Sequence, residues 1–120
     1  MYWYAVHAVL LNVYDDGNQD SFPVWENIYV VKAKSSDDAA AQAEKAARFA
    51  AESEDSLTRG DRPARFVFQG IRKTFKCFVD EHGKLASGTD VSFLQLELAT
   101  REDLDAMMSG DRSVNVLMDE

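Results

Sequence analysis

The sequence predicts an α+β fold, with a mainly antiparallel sheet of about five strands and the helices on one face. Three observations support this: long apolar segments typical of strands, two segments in which Ser or Thr precedes acidic residues as at the start of a helix, and polar glycine-containing stretches between elements. The order is β-β-α-β-β-α-β; without its first strand it matches the pattern of ferredoxin-like sheets, of which this fold would be a variant. With 120 residues and 46% apolar content, residues 1–120 are expected to form a single globular domain.

Two strands are predicted at the start of the chain, over residues 2–14 and 24–34. Both faces of the first are apolar, so we expect it to be central in the sheet or covered on its second face by another subunit. Residues 15–20 supply the turn between the strands, because Gly17 and Asn18 adopt positive φ readily.

A helix is predicted from about 37 to 54, after the capping sequence Ser35-Ser36-Asp37-Asp38. Its buried stripe is expected to consist mainly of alanine, which lets the helix approach the sheet closely. The stripe comprises Ala39, Ala43, Ala46, Ala47 and Ala50, with Phe49 alongside. The polar residues 54–63 are expected to form a surface loop.

The second half of the chain predicts two more strands, a short helix and a last strand. In the strand at 64–79 the apolar positions change parity, which predicts a bulge at Gln69-Gly70, where glycine would tolerate the backbone conformation. A strand over 89–99 follows. A helix is expected from Thr100 to about Ser109 and a last strand at 114–118.

Charge and composition narrow the classes of function. The net charge of −8 disfavours binding to nucleic acid and to anionic membranes, and no apolar run approaches the ~18 residues of a membrane span. No signal region precedes the first strand, so a cytoplasmic location is expected. Residues 59–76 nevertheless carry a net charge of +5, with −13 on the rest. These cations either pair with the molecule's own acids or form an anion-binding patch.

No sequence motif for catalysis or for a cofactor is present. His7, His82 and the single Cys77 are too few and too far apart for a typical zinc site, so neither a metal nor another cofactor is expected. Cys77 lies among apolar neighbours and is expected to be a small core residue. A glycine-rich phosphate loop and a G-x-S-x-G serine elbow are both absent from the sequence.

Polar residues within otherwise apolar strands are the candidates for a site. If their strands adjoin, Glu26 could pair with Arg72 while Trp25 offers a stacking surface. A cross-strand ion pair, a ligand pocket and a catalytic acid–base pair remain open as interpretations. The ligand- or partner-binding candidates are Trp25, Glu26, Asn27, Arg72, Lys73 and His7.

Several segments together resemble a family of bacterial proteins, domain of unknown function 4288. They are Trp3-Tyr4-Ala5, the run from Glu26 to Ala40, Phe66-Val67-Phe68-Gln69-Gly70-Ile71 and Gly88-Thr89-Asp90-Val91. The resemblance covers most of residues 3–93 and leaves out the chain beyond about residue 99. It implies a small bacterial domain with no assigned reaction, so no site residue is implied by it.

Two functions are compatible with the sequence. The first is an acidic, cytoplasmic, non-enzymatic module that binds another protein, including a copy of itself as a homodimer; its charge would suit a basic partner. The second is a ligand-binding or enzymatic domain of the dimeric ferredoxin-like type, with a pocket near Trp25, Glu26, Asn27 and Arg72. Grouping of these four residues in one cleft would favour the second.

Overall fold

The computed structural model describes residues 1–18, 22–53, 57–59, 62–79, 83–110 and 116–119. The sequence folds there into strands, where apolar and β-branched residues prevail, and into two helices led by Ser/Thr-Asp/Glu segments. In chain order the elements are β1 (Tyr2–Tyr14), β2 (Val24–Ala33), α1 (Ser36–Ser53), β3 (Leu57–Arg59), β4 (Arg62–Lys76), β5 (Leu96–Leu98), α2 (Arg101–Ser109) and β6 (Val116–Asp119).

The strands form two antiparallel sheets. The main sheet has the order β2-β1-β4-β3, and β5 pairs with β6 in a separate sheet. The α+β class and the antiparallel pairing are therefore confirmed, whereas a single five-stranded sheet in the order β-β-α-β-β-α-β is not. β1 is the inner strand between β2 and β4, which confirms the central position that its two apolar faces predicted.

The helix α1 covers one side of the main sheet, which we call the helix face. Ser35 Oγ accepts a hydrogen bond from the Asp38 amide at 3.1 Å and so caps the helix. Alanines at i, i+4 spacing, Ala39, Ala43, Ala47 and Ala51, form the buried stripe and pack against Tyr4, Val6, Ala8 and Leu10 of β1. The expectation for Phe49 is wrong, since it is 72% exposed.

The second helix does not lie on the main sheet. Thr100 caps its start by accepting from the Asp103 amide, and Gly110 ends it with a φ of 85°. Among the described elements α2 packs against β5, so the prediction that both helices share one face of one sheet is corrected.

Two irregularities shape β4 opposite β1. Val9 lies opposite Gly70 but Leu10 opposite Phe68, so Gln69 is an additional residue and the predicted bulge is confirmed. A second shift, between His7 and Ala8, makes Arg72 an additional residue. Gly70 does not have positive φ, and a Cβ there would meet nothing within 4 Å, so neither the backbone conformation nor the space at this bulge requires glycine.

The predicted strand over 89–99 is reduced to Leu96–Leu98. The residues before it, 91–93, which we call the covering segment, lie instead on the side of the main sheet opposite α1, the far face. The carbonyl groups of Val91 and Phe93 accept hydrogen bonds from the side chains of Cys77 and Lys73, respectively, in place of the pairing that a strand would give them.

Candidate functional site

Four polar side chains meet on the far face, and we call them the Glu26 cluster: His7, Glu26, Arg72 and Ser92. Val9 of β1 lies opposite Glu26 of β2, and residues opposite each other point to the same face. His7 points to that face too, since it is two residues from Val9. The additional residue at the second irregularity of β4 is Arg72, whose side chain reaches Glu26.

The carboxylate of Glu26 is the acceptor at the centre of the cluster. Arg72 binds it with two donors, Nε to Oε1 and Nη2 to Oε2, the latter at 2.8 Å. His7 Nδ1 lies 2.9 Å from Oε2 and, because a carboxylate only accepts, this nitrogen must carry a proton. In the neutral imidazole Nε2 is then the acceptor for the Ser92 hydroxyl, 2.5 Å away.

This environment keeps Glu26 ionised. The hydrogen bonds from Arg72 are the largest cause, and with the weaker contribution of His7 they lower the pKa of Glu26 from 4.5 to about 2 although burial opposes the shift. The side chains of Glu26 and Arg72 are 29% and 31% exposed. His7 is only 2% exposed, because the covering segment lies over it.

The expected pairing of Glu26 with Arg72 is thus present, but their strands do not adjoin. The central strand β1 lies between β2 and β4, and the two long side chains meet across it. The ion pair therefore ties three strands together on the far face.

Two more contacts hold the covering segment on the sheet. Lys73 Nζ donates to the carbonyl of Phe93 at 2.7 Å and lies 3.2 Å from the centre of its ring. Cys77 Sγ donates to the carbonyl of Val91 at 3.5 Å. Burial, followed by the charge of Asp90, raises the pKa of the Cys77 thiol, which suits a structural cysteine.

The remaining candidates, Trp25 and Asn27, lie on the other side of the sheet. They neighbour Glu26 in sequence and so point to the opposite face, where they line a cavity of about 230 Å³ with Leu10, Ala50 and Phe66. The rings of Trp25 and Phe66 meet edge to face at 4.9 Å. Trp25, Glu26, Asn27 and Arg72 therefore do not line one pocket.

Ser92 carries no sequence signal that would mark it as a member of the cluster. Its partner His7 is 85 positions away, and the parity of residues 89–99 favours a strand rather than a covering segment. In the described part of the chain, no group of three or more His, Cys, Asp or Glu side chains could hold a metal ion. His82 lies outside the described residues.

The cluster has the connectivity of a serine–histidine–carboxylate triad, with the hydroxyl at Nε2 and the carboxylate at Nδ1. It differs from a catalytic triad in one respect, because Arg72 binds both carboxylate oxygens and offsets the charge that would stabilise a protonated imidazole. What the arrangement does in the described structure is to fasten the covering segment to three strands.

These features define an antiparallel α+β fold in which residues 91–93 cover part of the far face of the main sheet and are held there through a polar cluster. The chain belongs to the family described as Domain of unknown function (DUF4288), whose model matches residues 3–92. That range contains the whole Glu26 cluster and ends before β5 and α2. No curated protein and no solved structure matches the chain significantly. None of its described helices is long and apolar enough to cross a membrane.

Proposed function

We propose that this chain is a non-enzymatic protein-interaction module that binds a strand of another protein along the edge of β2. The main observation in support is that β2 is an edge strand of ten residues whose far-face side chains remain exposed. Val24, Ile28 and Val30 are 58%, 50% and 37% exposed there, although all three are β-branched and apolar.

The backbone of β2 supports strand addition. The backbone amide of Asn12 donates to the carbonyl of Pro23 at 2.9 Å. Because the pairing of β1 with β2 has no register shift, the odd-numbered residues of β2 are the ones whose backbone groups bond to β1. Even-numbered residues, from Val24 to Lys32, direct their amide and carbonyl groups outward. The Lys32 carbonyl accepts from Gln42 Nε2 at 3.2 Å, and the rest of this outward row has no hydrogen-bond partner among the described residues. Such a row, beside apolar side chains, is the template on which a partner strand adds.

The polar cluster supports a structural role for its own members. Both oxygens of Glu26 and both ring nitrogens of His7 already have partners within the chain. A small ligand would have to displace Arg72 or Ser92 to reach them. The proposal also keeps a bacterial, cytoplasmic setting.

A photo-crosslinking amino acid at position 28, introduced into the chain in its native host, tests the proposal. A specific protein adduct at position 28 that is missing when the same group replaces exposed Lys45 on α1 is the expected result. Equal labelling at both positions would contradict binding at the β2 edge.

A second candidate function, acyl transfer, is favoured by the contact between Ser92 and His7. Ser92 Oγ would attack an acyl carbonyl while its proton moves to His7 Nε2 and then to the leaving group. A fluorophosphonate probe that labels the protein but not a Ser92→Ala variant would support this function. Labelling that persists in the variant, or is missing from both proteins, would reject it.

A further inference from the structure

We infer that the strand that adds to β2 is β2 of a second copy of this chain, paired antiparallel about a two-fold axis at Tyr29. This inference rests on the proposed function and specifies its partner. Two β2 edges would join the two main sheets into one, as in isologous dimers.

Backbone geometry restricts the register. Because only even-numbered residues of β2 direct their hydrogen-bonding groups outward, a symmetric pairing must place even residues opposite even residues. The axis can then lie at Ile28, Tyr29 or Val30, among the positions near the middle of the strand.

Side-chain chemistry selects among these three axes. With the axis at Tyr29, Glu26 lies opposite Lys32 of the second copy, and Ile28 lies opposite its Val30. The axis at Ile28 would place Glu26 opposite Val30, and the axis at Val30 would place Ile28 opposite Lys32. Paired β-branched side chains stabilise neighbouring strands, and of the three axes only the one at Tyr29 sets no charged side chain opposite an apolar one within β2.

The charge of the edge also favours a second copy over a basic protein. Although the chain carries a net charge of −8, the far face of β2 carries one acid and one cation, Glu26 and Lys32. The acid already has Arg72 as a partner. A strongly basic protein gains little from this edge, whereas an edge of the same mixed composition is complementary to it.

The expected dimer is a weak one, because a strand pair and its flanking side chains make a small interface. We expect a dissociation constant on the order of 10 µM. Sedimentation velocity of the full chain between ~1 and 200 µM should show conversion from monomer to dimer. Val30→Lys should weaken association at least ~10-fold, while Phe49→Lys, at an exposed apolar residue of α1, should leave it unchanged.

Cross-linking tests the register. Single cysteines are placed at Ile28 or Val30 in a Cys77→Ala background, and a short bifunctional thiol reagent is added to each protein alone and to their mixture. The mixture should cross-link faster than either protein alone, because residue 28 of one copy faces residue 30 of the other. Faster cross-linking of 28 to 28 or of 30 to 30 overturns this register.

A monomer at 200 µM also overturns the inference, without deciding the proposed function. The photo-crosslinked adduct at position 28 in the native host distinguishes failure of self-pairing from failure of the proposed function. An adduct with a different protein keeps the proposed function and rejects self-pairing, whereas no specific adduct together with a monomeric chain rejects both.

Discussion

Arg72 binds Glu26 across the full width of β1, so an ion pair joins two strands that are not neighbours in the sheet. The contact between the two side chains depends on the irregularity in β4, where Arg72 is the additional residue between the partners of His7 and Ala8. The consequence is that a local deviation in β4 sets a tertiary contact of β2, and that the edge strand is held to the sheet by more than its pairing with β1.

The coupling between these residues can be measured directly. In a double-mutant cycle of Glu26→Gln and Arg72→Met, read out by urea unfolding, we expect a coupling free energy of about 1 kcal/mol, because the pair is two-thirds buried and bidentate. The exposed pair Glu44–Arg48 on α1 is the matched control, with an expected coupling below ~0.5 kcal/mol. Additive effects at Glu26 and Arg72 would contradict a stabilising role for the pair.

Acid should weaken this contact. The folded-state pKa of Glu26 is lowered to about 2 from 4.5, so its contribution is complete above about pH 4.5 and is lost as the pH falls toward 2. Allowing for screening by solvent, the stability difference between wild type and Glu26→Gln should shrink by about 1–2 kcal/mol over that window. Arg72→Met, which removes the largest cause of the shift, should reduce the pH dependence similarly. A difference that stays constant with pH would contradict the assigned pKa.

The bulge at Gln69 leads to an unusual expectation for a glycine in a strand. Gly70→Ala should change the free energy of unfolding by less than ~0.5 kcal/mol or raise it, because the backbone is unstrained and the space is open. Gly17→Ala is the contrast, with an expected loss of about 1 kcal/mol, because Gly17 has a φ of 76°. Equal losses from the two substitutions would mean that Gly70 is also under backbone constraint.

The N-terminal part of the fold could be predicted closely from the sequence because its signals are local. Residues 2–14 and the capping sequence at Ser35 fix their elements through composition and hydrogen bonding within a few positions. The same holds for α2, with its Thr100 cap and its stop at Gly110.

The covering segment could not be predicted, because its apolar and polar residues fit a strand as well as a crossing over a sheet face. The choice between a strand and a crossing depends on hydrogen-bonding side chains far away in the sequence, namely His7, Lys73 and Cys77. The pairing of Glu26 with Arg72 could be predicted from two charged residues in apolar strands. Strand alternation alone separates Trp25 and Asn27 from Glu26, but which of the two faces α1 covers could not be derived from it.

Release of the covering segment can be followed through the single thiol. Cys77 is buried and its pKa is raised, so the folded chain should react with Ellman's reagent at least ~100-fold more slowly than the unfolded chain. Ser92→Ala removes the hydroxyl that binds His7 and should accelerate the reaction about 5-fold, because the segment that covers Cys77 then opens more often. Ser109→Ala, which removes a hydroxyl that donates to the Ala106 carbonyl within α2, is the control and should leave the rate unchanged. If Ser92→Ala also leaves it unchanged, the contact between Ser92 and His7 does not hold the segment closed.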